Sequence, residues 1–244
     1  MYSNTASPFS GLPPVVKNLL IINIICFVGS ALIFPGANRL FGVYYPDSPF
    51  FKIWQVITYM FMHGGFTHIF FNMFALFMFG PVLEQVLGSK RFLNYYLITG
   101  LGALALQFAV QALEVYQITG TVSASAWLRF DMLAGVVHGN HPDLTQDSFQ
   151  KLVSVYNTPM VGASGAIYGL LIAFGYLFPN TPLMLIFLPV PIKAKYFIPV
   201  MIVIELFLGV SRAGTSVAHF AHIGGALFGF LLIRLWGIRR PNYW

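Results

Sequence analysis

Residues 161–170 read VGASGAIYGL, a run of small and apolar residues with a single serine, Ser164, near its start. Gly165 and Gly169 stand four residues apart, a spacing that lets two membrane helices approach closely. A serine hydroxyl in hydrocarbon needs a hydrogen-bond partner, because an unpaired polar group there is costly. The stretch predicts a tightly packed membrane helix in which Ser164 is either a packing contact or a nucleophile.

The composition of the whole chain is typical of a polytopic membrane protein. Of its 244 residues, 57% are hydrophobic and 8% are charged, whereas a soluble domain carries about 25% charged residues. Apolar stretches of about 20 residues favour spanning helices over the alternating pattern of a membrane barrel. The net charge of +6 comes from short basic clusters between these stretches. We interpret these clusters as orientation signals, and nucleic acid is excluded as a partner.

Six apolar stretches predict an all-α bundle of six transmembrane helices. They cover about residues 16–35, 67–87, 91–113, 161–179, 196–211 and 216–236. A further apolar stretch, 182–191, is short and broken by proline, so we predict an interfacial or re-entrant connection there.

The distribution of lysine and arginine predicts that both termini face the cytoplasm. Eight basic residues lie beside the membrane ends assigned to that side, and five lie on the longer outer loops, as the positive-inside rule requires. Short cytoplasmic tails would then cover 1–15 and 239–244, and the aromatic loop 36–66 and a polar insert, 114–160, would lie on the outer side. The start of the chain lacks a basic segment and a cleavage site, so we expect the first span to serve as the targeting signal.

Polar side chains near the outer ends of three predicted spans are the candidate functional groups. His68 and Asn72 belong to the second span, Ser164 to the fourth and His222 to the sixth. A rise of about 1.5 Å per residue places Asn72, Ser164 and His222 at similar depth. His68 and Asn72 share a helix face. Because polar residues in spans are expensive and mark functional sites, we predict that these residues form one layer.

The residue types in this layer suit serine hydrolysis. A neutral imidazole at His222 can remove the proton of Ser164 during attack and return it to the leaving amine. Gly225 and Gly229, which follow His222, are four residues apart, like Gly165 and Gly169 after Ser164. Close packing of the two spans along these glycines would bring Ser164 and His222 within about 3 Å of each other. No acid neighbours His222 in the sequence, and the simplest prediction is a dyad.

A tetrahedral intermediate would also need hydrogen-bond donors for its oxyanion. The Asn72 amide, a ring N–H of His68 and the backbone N–H of Ser164 could supply them. Ser164 lies near the start of its predicted helix, where unpaired N–H groups favour negative charge.

Three motifs resemble those of the rhomboid family of intramembrane serine proteases. They are HGGFTHIFFN (63–72), GASGAIYG (162–169) and AHIGGALFG (221–229), in the family's order and on its second, fourth and sixth spans. Each motif alone is weak, but the combination is specific. The resemblance covers about residues 15–238, nearly the whole chain.

The resemblance implies a rhomboid-like six-helix catalytic domain over 16–238 with a water-accessible cavity on the outer side. It implies Ser164 as nucleophile, His222 as general base, and an oxyanion hole from Asn72, His68 and the backbone of Ser164 and Ala163. Tyr168 would pack against His222.

The implied activity is endopeptidase cleavage in or near the outer ends of transmembrane helices. The substrates would be membrane proteins in the lipid bilayer, and no cofactor or metal is implied. The compact six-span form resembles bacterial members, which suggests a bacterial inner membrane.

Other interpretations of the same residues stay open. An inactive relative that binds membrane proteins would keep the fold without the chemistry. A zinc site could use the histidines at 63, 68, 219 and 222, although no His-Glu-x-x-His motif occurs. A transporter would more often show paired inverted halves. We expect His219 to be solvated, while Glu205 in the fifth span could face a wet cavity or be protonated.

Overall fold

The computed structural model describes residues 11–131, 136–185, 188–211 and 219–241. Its helices are α1 (Pro14–Val28, continued by a π-helical turn over Gly29–Ile33), α2 (Ala37–Phe41), α3 (Gln55–Thr58, followed by a 3-10 turn over Tyr59–Phe61), α4 (Phe66–Leu87), α5 (Ser89–Thr119), α6 (Gln146–Asn157), α7 (Ser164–Leu177), α8 (Ala194–Ser211) and α9 (His219–Leu235). Short strands form two antiparallel pairs, β1 (Leu128–Asp131) with β2 (Val136–Gly139) and β3 (Pro182–Leu185) with β4 (Leu188–Lys193).

Each predicted span overlaps one helix: α1, α4, α5, α7, α8 or α9. Residues 216–218 of the sixth predicted span lie outside the described residues. Among the described residues, three helical segments are long and apolar enough to cross a membrane: Pro14–Ile33, Phe66–Leu87 and Ser89–Thr119. Helices α7 and α9 are apolar but shorter. The chain is therefore mostly helical, as its composition predicts, and the proposed interfacial connection at 182–191 contains the β3–β4 pair.

Two helix boundaries differ from the predicted spans because of glycine. Gly162 has a φ of 130°, a backbone conformation that favours glycine and cannot continue a helix. Helix α7 therefore begins at Ser164 rather than at 161. At the other boundary, α5 continues past 113 to Thr119 and ends where Gly120 adopts a left-handed conformation with a φ of 72°.

Glycines join α7 to α9 at the centre of the bundle. A Cβ on Gly225 would collide with the backbone carbonyl of Gly165, and a Cβ on Gly229 would lie 2.9 Å from the Cα of Gly169. At the same contact, the buried Tyr95 hydroxyl of α5 donates a 2.8 Å hydrogen bond to the Gly169 carbonyl. The predicted close contact of these two spans along their glycines is thus confirmed, and it places the first turns of α7 and α9 side by side.

The insert 114–160 forms a second hydrophobic core against the loop 36–66. The Tyr156 hydroxyl of α6 donates to Asp47 Oδ2 at 2.6 Å and accepts from the Ala124 N–H at 2.8 Å. The buried members of this core are Tyr45, Val115, Ala124, Leu128, Leu152, Val155 and Tyr156.

The segment before α7 is held by the loop 36–66. Val43 and Met160 exchange backbone hydrogen bonds of 2.9 and 2.8 Å, and the Gly162 N–H donates to the Tyr59 carbonyl at 2.9 Å. These three bonds fix the path of the chain as it enters α7, and so they position Ser164.

The N-terminus of α1 is capped by a carboxylate from α4. Buried Glu84 accepts hydrogen bonds from the backbone N–H groups of Val15 and Val16, at 3.1 and 2.8 Å, and from the Ser89 hydroxyl at 2.7 Å. Unpaired N–H groups at the start of a helix favour a negative charge. The hydrogen bonds to Glu84 therefore stabilise the contact between the start of α1 and the end of α4.

Candidate active site

Ser164 and His222 meet where α7 and α9 begin. Ser164 is the first residue of α7, and His222 lies in the first turn of α9. The distance from His222 Nε2 to Ser164 Oγ is 2.8 Å, within the range for a nucleophile and its base. The structure brings the two predicted residues into hydrogen-bond contact, and their catalytic roles stay predictions.

Tyr168 fixes the plane of the His222 ring. It lies one turn after Ser164 on α7, and its ring stacks on the imidazole with centroids 4.3 Å apart and planes inclined by 7°. The expected packing of Tyr168 against His222 is confirmed. Stacking restricts tilting of the imidazole out of this plane, and the 2.8 Å contact directs Nε2 towards Ser164.

A carboxylate from α8 lies on the far side of the His222 ring. Glu205 Oε2 is 3.1 Å from His222 Nδ1 and 2.6 Å from His219 Nδ1, and Glu205 Oε1 accepts a 2.5 Å hydrogen bond from the Tyr168 hydroxyl. His222 Nδ1 is buried and has no aligned hydrogen-bond partner among the described residues. Its 3.1 Å contact with Glu205 is therefore close but lacks hydrogen-bond alignment, and it is an ion pair only when the imidazole is protonated.

The expectation that His219 is solvated is wrong. Its side chain is 13% exposed and that of Glu205 is 12% exposed, because α8 packs against α9 and covers this part of the helix. The sequence left the surroundings of Glu205 open. In the structure its carboxylate is enclosed by Tyr168, His219 and His222.

The alternative of a four-histidine zinc site gains no support from the described part of the chain. There, a metal-ligand type cluster is formed by Glu205, His219 and His222, whose ligand atoms lie within 4.8 Å of one another, and it includes neither His63 nor His68. Ligand atoms of one tetrahedral Zn²⁺ lie about 3.3 Å apart, given bonds near 2.0 Å. The 2.6 Å contact of Glu205 with His219 is too short for that geometry and fits a direct hydrogen bond.

His68 presents its ring to the backbone that precedes Ser164. The Gly64 N–H donates to His68 Nδ1 at 3.4 Å, so the neutral ring carries its proton on Nε2. A Cβ built on Gly162 would lie 2.7 Å from His68 Nε2 and 3.6 Å from Ser164 Oγ. The donor nitrogen of His68 and the Ser164 hydroxyl thus flank the same backbone position, which only glycine can occupy.

The other predicted oxyanion donors are less directly placed. Asn72 is buried, and its side-chain amide donates to the His68 carbonyl of its own helix at 3.0 Å, which leaves its second N–H for another acceptor. Ala163 and Ser164 stand at the start of α7, where backbone N–H groups have no acceptor within the helix. The oxyanion role of these groups stays a prediction.

His63 supports the site without joining it. Burial, and then the neighbouring His68, lowers the pKa of His63 to about 4, so this ring is neutral at physiological pH. It packs edge-on against His68 with centroids 5.1 Å apart, and its carbonyl accepts a 3.1 Å hydrogen bond from Asn38. These contacts hold the His68 ring in place.

Comparison with known proteins places this chain in one family. The family model described as the rhomboid domain matches residues 51–239. The rhomboid protease AarA of Providencia stuartii is 29% identical over 186 residues, which are 73% of this chain and 54% of AarA. Rhomboid protein 1, mitochondrial, of Saccharomyces cerevisiae is 26% identical over 177 residues, 72% of this chain and 40% of that protein.

A third relative has a higher sequence identity over a shorter stretch of the chain. The putative rhomboid protease YdcA of Bacillus subtilis is 46% identical over 48 residues, 20% of this chain and 24% of YdcA. The chain thus spans between about a quarter and about half of the length of these relatives. The family match and the apolar helices identify an integral membrane protein. With the rhomboid model matched over most of its length, including all three motif segments, this chain belongs to the rhomboid family.

Proposed function

We propose that this protein is an intramembrane serine endopeptidase with Ser164 as nucleophile and His222 as general base. The observation that carries the proposal is the 2.8 Å contact between Ser164 Oγ and His222 Nε2, made by two different helices. Family membership adds support, since relatives such as AarA are named rhomboid proteases. An inactive membrane-protein binder is the second candidate, and it would have no need of this contact.

The proposed reaction begins at the contact between Ser164 and His222. His222 Nε2 takes the Ser164 proton as Oγ attacks the scissile carbonyl, and the tetrahedral oxyanion receives hydrogen bonds from His68 Nε2, the second Asn72 N–H and the backbone N–H groups at the start of α7. The imidazolium then protonates the leaving amine. A water molecule, deprotonated by the same imidazole, hydrolyses the acyl-enzyme and restores Ser164.

The substrates on this proposal are transmembrane helices of other proteins. The six helices would span the bilayer with both termini in the cytoplasm, and the start of α7 would open to water on the outer side. A helical substrate hides its carbonyls in hydrogen bonds to residues four positions on, so cleavage would favour helix ends weakened by glycine or proline. A bacterial inner membrane stays the proposed location, although the relatives include mitochondrial proteins.

A fluorophosphonate probe tests the proposal directly. We expect the purified protein in detergent to be labelled and to cleave a transmembrane reporter, and Ser164→Ala to lose both activities while keeping its melting temperature. His222→Ala should lose more than about 10³-fold in cleavage rate. Both activities should be unchanged by EDTA.

Three outcomes would contradict the proposal. An unlabelled, inactive wild-type protein that still binds membrane proteins favours the inactive binder. Cleavage that persists in Ser164→Ala, or that EDTA abolishes and Zn²⁺ restores, removes Ser164 from the mechanism.

A further inference from the structure

We propose that Glu205 is a positioning residue for His222, so that the site works as a Ser164–His222–Glu205 triad rather than a dyad. The inference rests on the proposed function. Its observation is a line of two contacts through one ring: Ser164 Oγ to His222 Nε2 at 2.8 Å, and His222 Nδ1 to Glu205 Oε2 at 3.1 Å.

The Glu205 carboxylate is itself held in place from two sides. Its Oε1 accepts from the Tyr168 hydroxyl at 2.5 Å, and its Oε2 lies 2.6 Å from His219 Nδ1. With 12% of the side chain exposed, the carboxylate is largely shielded from water, and such a charge is retained only where partners stabilise it. Tyr168 also stacks on His222, so a single residue orients both the base and its carboxylate.

This placement gives the carboxylate two tasks. In the resting state it favours the tautomer with the proton on Nδ1, which leaves Nε2 free to accept the Ser164 proton. After proton transfer it stabilises the imidazolium by its opposite charge at 3.1 Å. Glu205 stays ionised throughout and never contacts the substrate, so it acts through His222.

The pH response of His222 depends on every group that faces it. Glu205 of α8 faces Nδ1, Ser164 and Tyr168 of α7 face Nε2 and the ring plane, and His219 precedes it on α9. His68 of α4 interacts with it electrostatically across the site. Glu205 is the one anion in this set, so its removal makes the imidazolium less stable.

The test compares Glu205→Gln with wild type in reporter cleavage and in the rate of fluorophosphonate labelling. We expect kcat and the labelling rate to fall about 10- to 100-fold, less than the 10⁴-fold effect of a fully aligned triad carboxylate, with KM nearly unchanged. The acid limb of the kcat/KM profile should move to lower pH, because the imidazole stays neutral further into acid. Glu205→Asp should recover part of the rate.

A matched control is Asp147→Asn, which makes the same change of charge on a 74% exposed side chain of α6. It should match wild type in rate and pH profile. If Glu205→Gln fails to fold, Tyr168→Phe keeps the stacked ring and removes the hydroxyl that holds Glu205; its rate should fall about 3- to 10-fold with the same direction of pH shift.

The two proposals fail in different ways. Wild-type rates and an unshifted pH profile in Glu205→Gln, or in Tyr168→Phe if the first variant does not fold, overturn the role of Glu205 while Ser164→Ala remains inactive. A wild-type protein that neither reacts with the probe nor cleaves the reporter overturns the proposed protease instead.

Discussion

At the scale of single residues, the donors around Ser164 differ in how firmly they are placed. His68 has a defined tautomer and lies against the backbone at Gly162. Asn72 donates one side-chain N–H to the His68 carbonyl of its own helix. On the proposed mechanism, the two side chains would therefore make separable contributions to the oxyanion hole, one through a ring nitrogen and one through an amide.

Removing the Asn72 amide should weaken transition-state binding. We expect Asn72→Ala to lower kcat about 10²-fold or more, as for loss of one oxyanion donor, and to change KM little. Loss of the bond to the His68 carbonyl should cost about 1 kcal/mol of unfolding free energy.

Asn94→Ala, which truncates an exposed asparagine of α5, is the matched control and should leave kinetics and melting temperature unchanged. Steady-state cleavage and thermal melts measure both effects. A kcat equal to wild type in Asn72→Ala would exclude the amide from the oxyanion hole.

The same residues show what sequence reasoning can and cannot find in this site. Ser164, His222, His68 and Asn72 could be named because each stands in a motif, and because the predicted spans place Asn72, Ser164 and His222 at similar depth. Glu205 could not be connected to His222, since no spacing rule relates a residue of α8 to one of α9. Only the packing of those helices decides which side of α8 meets the imidazole.

At the scale of elements, the distance between α7 and α9 decides whether the Ser–His contact exists. Gly225→Ala would place a methyl group on the Gly165 carbonyl. The helices must then move apart, which we expect to cost about 1–3 kcal/mol or more. Cleavage should fall at least tenfold at a temperature where the variant remains folded.

Gly29→Ala is the control for this change. Gly29 has helical dihedral angles and nothing within 4 Å of the added methyl group, so this variant should melt at the wild-type temperature or slightly above it. Thermal melts and reporter cleavage compare the two variants. Wild-type stability and rate in Gly225→Ala would show that α7 and α9 do not rely on this contact.

Element boundaries were less predictable than the elements themselves. Long apolar runs indicate six helices, but hydropathy carries no information on the backbone dihedral angles of Gly162. Those angles make Ser164 the first residue of α7. The insert 114–160 was predicted as a polar cap without a shape. Its core depends on long-range contacts such as Tyr156 with Asp47, which no local pattern reveals.

At the scale of the whole molecule, the insert and the candidate site belong to the same end of the bundle. Met160, the last residue of the insert, pairs with Val43 of the loop 36–66, and Ser164 begins α7 four residues later. A reagent that reaches the exposed face of α6 therefore reports the side of the membrane on which this end of the bundle lies.

Cysteine labelling tests the proposed orientation through this link. The one native cysteine, Cys26, is first changed to alanine, and Asp147→Cys or Lys90→Cys is added at an exposed position. Basic residues such as Lys90 and Arg91 favour the cytoplasmic side, and the proposed orientation therefore places Asp147 on the outer side. We expect a membrane-impermeant maleimide to label Asp147→Cys in intact bacterial host cells. Lys90→Cys should be labelled only after permeabilisation. The reverse pattern would place Ser164 at the cytoplasmic face and overturn the proposed access from the outer side.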